Sequence, residues 1–201
     1  MSTPTPTASS QTSKQILHQF LTSLSAKQPT PGGGAAAAVG AAIGVAAAQM
    51  AAAYTSRKKD KESGAALKAA ALIDKMNVPS LLEAADDDAK AYANLQRTWK
   101  EPNMPPEEKA EIEATALRIP TQLLETCHSD IMSIEEFLPD CNPNITSDAK
   151  VGIHQLAGAA RAAYQTVLVN SPPADEKQRL QKLLKEIHHV EMKLLGLEDD
   201  E

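Results

Sequence analysis

Twenty uncharged residues, Ala35 to Tyr54, follow three consecutive glycines at Gly32, Gly33 and Gly34, and twelve of the twenty are alanine. No other feature of the chain limits its fold so tightly. A bilayer crossing needs about 20 predominantly apolar residues, so the run is long enough to span a membrane. Alanine and glycine, however, drive insertion weakly compared with leucine or phenylalanine, and the charged stretch "SRKKDKE" follows at once. A flexible linker fits less well still, because alanine is the strongest helix former. The run therefore reads as a buried helix with a smooth surface. Gly40 and Gly44 lie one turn apart, and small residues let neighbouring backbones approach. Such a helix belongs at the centre of a bundle or at a subunit interface. The triple glycine that opens it reads first as a tight turn. Bare N–H groups at a helix start also make an anion site, although the spacing of a phosphate loop is absent and no strand precedes it.

The remaining sequence is helical in pattern nearly throughout. Helices are expected over 13–27, 34–60, 62–77, 79–101, 105–138, 147–170 and 173–196. Proline and acidic residues open several of them, as in "EPNMPPEE" and "NSPPADE", and "TSD" at 146–148 offers a capping side chain. Pro120 falls inside a helix and is expected to kink or split it. No segment alternates long enough for a sheet. A chain of 201 residues with 3% aromatics is most simply one all-α domain, a bundle of long helices around the Ala/Gly-rich one. Residues 1–12 read as a disordered Ser/Thr/Pro tail, leaving 13–201 as the helical domain.

Charge and cysteines narrow the setting. A net charge of −6 gives no footing for a nucleic-acid partner, and no membrane association is expected. Cys127 and Cys141 lie outside any metal-ligand spacing, which suits a reduced, cytoplasmic protein. The tail lacks the arginines of a transit peptide and the apolar core of a signal peptide.

The second informative stretch is "SLLEAADDDAKAYANLQRTWK". On a helix, Leu81, Ala85, Asp88, Tyr92, Leu95 and Trp99 fall within about 40° of one line. Asp86 and Asp87 point away from it and are expected to face solvent. Asp88 is expected in an apolar seam, where an unpaired charge is costly. A carboxylate there is either paired for structure or kept for chemistry. Lys58 and Lys59 are expected to end the alanine helix and to satisfy its last carbonyls. His128 and His154 lack partners at metal-ligand spacing. His188 and His189 are adjacent and so do not share a helix face. No metal site is expected.

Taken together, these residues resemble the cyclodeaminase/cyclohydrolase family of folate enzymes. That family includes the C-terminal domain of formiminotransferase-cyclodeaminase and stand-alone methenyltetrahydrofolate cyclohydrolases. "LSAKQPTPGGGAAAAVGAAIGVAAAQM" is similar to the family's opening, and "YTSRKK" to its Thr-x-x-Lys-Lys segment at Thr55, Lys58 and Lys59. "DDDAKAY" resembles its Asp-x-Asp-Ala-x-Ala-Tyr/Phe motif at Asp86, Asp88, Ala89, Ala91 and Tyr92. "NMPPEEK" and "IPTQLLET" match its middle, including Pro120 and Glu125. "CNPNITSDAKVG" is similar to its segment at Asn142, Ser147 and Asp148, and "AAYQTVLVN" to its closing motif through Asn170. Departures stand at Ala35, Thr146 and Thr166, where the family often has serine, arginine and asparagine.

The resemblance implies Asp88 as the catalytic residue. It implies a substrate-binding set of Gly32, Gly33, Gly34, Thr55, Lys58, Lys59, Asn142, Ser147, Asp148 and Asn170. It also implies a homodimer with sites at the subunit interface, a tetrahydrofolate derivative as substrate, and no cofactor beyond it. Two reactions fit. In cyclodeamination, N10 of 5-formiminotetrahydrofolate attacks the formimino carbon, ammonia leaves, and 5,10-methenyltetrahydrofolate forms. In the cyclohydrolase reaction, water adds to the methenyl carbon. Both pass through similar tetrahedral centres that a carboxylate can serve. The absence of a formiminotransferase segment tilts the expectation towards the cyclohydrolase. The alternative is a non-catalytic helical assembly protein, to which Ala35, Thr146 and Thr166 point and against which Asp88 in an apolar seam argues.

Overall fold

The computed structural model describes residues 17–197; the expected N-terminal tail lies outside the described residues. Its elements are α1 (Leu17–Leu24), α2 (Gly33–Ala53), α3 (Lys58–Glu62), α4 (Ala65–Lys75), α5 (Val78–Lys100), α6 (Pro106–Phe137), α7 (Thr146–Val169) and α8 (Ala174–Leu195). A 3-10 turn, Leu138–Asp140, links α6 towards α7. Among the described residues there is no strand, and the class is all-α.

The alanine helix α2 is the hub, packed against α7 on one side and α5 on another. Its small side chains are the reason. An ideal Cβ on Gly44 would sit 2.9 Å from the Gly152 carbonyl oxygen, and one on Gly152 would sit 2.7 Å from the Gly44 oxygen. The α2 and α7 backbones therefore touch there, and any side chain at either position would force them apart. Gly40 faces Ala159 at an ordinary 3.9 Å and needs no such explanation. The pairings Gly40 with Ala159 and Ala48 with Gly152 run α7 antiparallel to α2. By length and composition α2 could cross a bilayer, yet more than half of it is buried in the fold.

The helix expected over 13–27 ends at Leu24 and that over 62–77 is Ala65–Lys75; three larger differences have physical causes. The helix expected over 34–60 stops at Ala53 and restarts at Lys58. The stop is made by Thr55, fully buried, whose hydroxyl turns back to the Ala51 carbonyl at 3.1 Å. The restart is made by Asp60, which accepts from the Arg57 backbone N–H and pairs with the Arg57 guanidinium at 2.8 Å, an anion in the first turn where the dipole favours it. Lys58 and Lys59 thus begin a short helix and do not close the long one. At 146–148 the expected side-chain cap is absent; the Thr146 hydroxyl instead donates to the Asn142 carbonyl at 3.0 Å.

Pro120 does not split α6, which runs unbroken from Pro106 to Phe137. A helical proline leaves the carbonyl four residues earlier without its donor, here that of Ala116. The Asn170 side-chain amide donates to that oxygen at 3.1 Å and to the Thr166 carbonyl at 2.9 Å. One amide at the end of α7 thereby repairs the bond that proline removes from α6, and a buried carbonyl is not left orphaned.

Candidate active site

Asp88 lies where α5 passes the start of α2. An ideal Cβ built on Gly34 would fall 2.0 Å from Asp88 Oδ1 and 2.3 Å from its Cγ. The carboxylate therefore occupies the space a side chain at position 34 would need. The Ala35 backbone N–H hydrogen-bonds it, while burial pushes its pKa above the usual carboxylate range, and burial is the larger of the two effects. An anion at the positive end of a long helix is electrostatically well placed. Here that anion belongs to the protein. The glycine-opened helix start, expected to await a ligand's negative charge, already holds Asp88.

The rest of α5 corrects the seam. Leu81 and Ala85 are buried with Asp88 alongside, but Tyr92 is 38% and Trp99 65% exposed. The reason is length: α5 runs antiparallel to α2 and continues for about 18 Å beyond Asp88, past the first residue of α2. Tyr92 and Trp99 meet edge to face there, with ring centroids 6.4 Å apart. Asp86, expected in solvent, is buried, so the buried arc of α5 is wider than one line. Asp87 is exposed and pairs with Lys90 at 2.9 Å.

Within one chain the expected binding residues form two groups at opposite ends of α2, about 30 Å apart for 21 residues. Gly32, Gly33 and Gly34 accompany Asp88, and Asn170 lies at the same end because α7 is antiparallel. Thr55, Lys58, Lys59, Asn142, Ser147 and Asp148 lie at the far end. There Asn142 knits the loop: its backbone N–H donates to Thr55 Oγ1 at 3.0 Å and its side-chain amide to the Tyr54 carbonyl at 3.0 Å. Lys58 is almost wholly exposed and reaches Glu62 only at 3.8 Å. Ser147 donates to Asp148 at 3.2 Å. Asn142, Thr55 and Asn170 thus have structural bonds that spacing did not disclose. Among the described residues no cluster of three His, Cys, Asp or Glu side chains could hold a metal. Both cysteines are free and buried, and burial pushes the Cys127 thiol up to about 12.

A helical bundle built on a bare central helix, with a carboxylate seated on its first turn, defines the class; comparison with known proteins places the chain within it. The formiminotransferase-cyclodeaminase profile matches residues 16–189, and the chain belongs to that family. Among solved structures, the crystal structure of formiminotetrahydrofolate cyclodeaminase from Thermotoga maritima superposes with a TM-score of 0.72 at 20% identity, over 91% of this chain and 96% of that one. The likeness establishes the fold. No curated protein matches the sequence.

Proposed function

We propose that this protein is a folate one-carbon enzyme working at the level of 5,10-methenyltetrahydrofolate, as a cyclohydrolase, a formimidoyltetrahydrofolate cyclodeaminase, or both. One observation carries the reading: the Asp88 carboxylate lies on bare Gly34 backbone with its pKa raised by burial. A carboxyl shifted towards neutrality can both take and return a proton, which is the demand these reactions share. In cyclodeamination Asp88 accepts the N10 proton as N10 bonds to the formimino carbon, then delivers a proton to the departing nitrogen, which leaves as ammonia. In hydrolysis it accepts a proton from the water adding to the methenyl carbon and returns it to N5 as the carbon–N5 bond breaks, while the new hydroxyl releases its proton to solvent as the 10-formyl carbonyl forms.

The site is completed by a second copy of the chain, which brings the Thr55, Lys58 and Asn142 end of one α2 to the Asp88 end of the other. Two features support the dimer. The two groups of residues are too far apart to touch one ligand within a chain. The outward face of α2 carries Ile43, Met50 and Tyr54, 42–61% exposed, at helical spacing and without any charge, as an interface core requires. Lys58 and Lys59, free of buried structural bonds, then stand ready for the anionic glutamate tail of the folate.

The test follows the absorbance of 5,10-methenyltetrahydrofolate, and separately its appearance from 5-formiminotetrahydrofolate, with wild type and Asp88→Asn. The substitution keeps an oxygen that accepts from Ala35 N–H and removes the base. Turnover is expected to fall on the order of 10²-fold or more with unfolding little changed. Unaltered turnover would make Asp88 a helix-capping group only.

A further inference from the structure

A polar cavity lies against a face of α5 next to the one that carries Asp88. The cleft between α5 and α6, closed at one end by α4, has a volume of about 660 Å³, within the range of small-molecule sites. Asp87 and Asp88 are consecutive on a helix and so point about 100° apart; Asp88 meets α2, and Asp87 lines this cleft. Asp130 lies at its inner end, only 4% exposed. No hydrogen bond or ion pair to Asp130 forms among the described residues. The nearest cation, Lys75, instead gives its Nζ to Ser133 Oγ at 2.5 Å. Among the other charges of the cleft, Lys90 pairs with Asp87 and Glu125 with Arg179 at 2.6 Å, while Glu83 lines it as a further carboxylate. Arg118, towards the other end, holds only the neutral Gln122, at 3.1 Å. The cleft therefore presents a buried anion at one end and an available guanidinium at the other. They are twelve residues apart on α6, about 18 Å, with Leu81, Ala84, Ala91, Ile119 and Leu123 among the lining side chains.

We propose that this cleft is a second folate-binding site, in which Asp130 holds the N3–H and 2-amino edge of a pterin and Arg118 holds a carboxylate of the glutamate tail. A carboxylate and a planar pair of N–H donors form parallel charge-assisted hydrogen bonds, and so do a guanidinium and a carboxylate. Pterin, aminobenzoyl ring and glutamate lie in line in an extended folate, whose length is comparable with the separation of the two groups. The apolar lining suits the rings. A buried carboxylate without a partner is costly, and a ligand that supplies two N–H groups removes the cost. The proposal rests on the folate reading above but uses none of its catalytic residues.

Calorimetric titrations with free pterin, folic acid and L-arginine test it, on wild type, Asp130→Asn, Arg118→Gln and Asp88→Asn. Asp130→Asn is expected to weaken pterin and folic acid at least tenfold. Arg118→Gln is expected to weaken folic acid about tenfold and leave free pterin unchanged. Asp88→Asn is expected to retain this binding. Equal pterin affinity in wild type and Asp130→Asn overturns the proposal, provided circular dichroism shows both folded. L-Arginine binding as tightly as pterin, in an Asp130-dependent way, overturns the pterin assignment in favour of a guanidinium ligand. The catalytic reading is judged separately, by methenyltetrahydrofolate turnover in wild type against Asp88→Asn, so failure of either is visible without the other.

Discussion

Gly34→Ala tests whether the carboxylate and the helix start form one unit. The added methyl would lie 2.0 Å from Asp88 Oδ1, 2.3 Å from Cγ and 2.6 Å from Oδ2, while ordinary contact begins at 3.4 Å. The carboxylate must retreat by more than 1 Å or leave. The three atoms it would strike end a short side chain with only two torsions, carried on a packed α5 backbone, so it has little room to yield. Losing a charged hydrogen bond costs about 1.5–3 kcal/mol, and replacing glycine by alanine in a helix returns about 1 kcal/mol. The expected balance is a destabilisation of about 0.5–2 kcal/mol, which is a drop in Tm of a few degrees for a chain of this size. Gly33 is the internal control: a Cβ there meets nothing within 4 Å, so Gly33→Ala should stabilise by up to about 1 kcal/mol. The discriminating result is therefore one of sign between adjacent glycines. Urea unfolding and methenyltetrahydrofolate turnover should be measured for both. Turnover of Gly34→Ala should fall as far as that of Asp88→Asn. If Gly34→Ala matches Gly33→Ala in stability and keeps wild-type turnover, Asp88 does not sit on the first turn of α2 and the catalytic geometry is wrong.

The Asn170 amide should be energetically coupled to Pro120: Asn170→Ala should cost about 1–3 kcal/mol, and the cost should shrink by about 1 kcal/mol in a Pro120→Ala background, where residue 120 regains its own N–H for Ala116; an additive cycle would refute the repair. Gly152→Ala should destabilise by about 1–3 kcal/mol because its methyl meets the Gly44 oxygen at 2.7 Å, whereas Gly158→Ala, with nothing within 4 Å, should be neutral or stabilising by thermal unfolding. Burial pushes Asp130 up to about 6 from 3.8 against the attraction of Lys75. The folded state therefore holds the extra proton between about pH 4 and 6, and stability from this group falls as pH rises through that window. Asp130→Asn should remove that fall, on the order of 2 kcal/mol between pH 4.5 and 7.5, in urea midpoints read against wild type; parallel pH curves would show that Asp130 titrates normally.

Much of this architecture is legible in the chain because it is local. Helix patterning placed α5, α6, α7 and α8 to within a residue or two of Val78–Lys100, Pro106–Phe137, Thr146–Val169 and Ala174–Leu195, since periodicity and prolines act within a few turns. The break after Ala53 was not legible, because it depends on Thr55 meeting Asn142, 87 residues away. Asp86 shows the limit of a helical wheel: a wheel tells which residues share a line but not how many neighbours cover the helix. The exposure of Tyr92 and Trp99 shows another, since a seam continues only as far as the partner helix does, and α2 begins at the level of Asp88.

Pro120 and Asn170 carry the argument furthest. Each matches a family motif on its own, and a motif residue invites a ligand-binding role. The structure joins them through the Ala116 carbonyl, a debt to backbone hydrogen bonding that no reading of either position alone contains. Gly34 and Asp88 are joined in the same way, one lacking the side chain whose space the other fills. Paired requirements of this kind leave two separate marks in the sequence and one contact in the fold. Asp88 differs from Asn170 in one respect that supports the role proposed for it. Both donor protons of Asn170 are used inside the protein, whereas Asp88 receives a single N–H and burial still raises its pKa. The Ala35 hydrogen bond alone would stabilise the anion and draw the pKa down, and at Asp88 burial outweighs it. Asp88 is held in place yet kept easy to protonate, the condition a group needs in order to shuttle a proton.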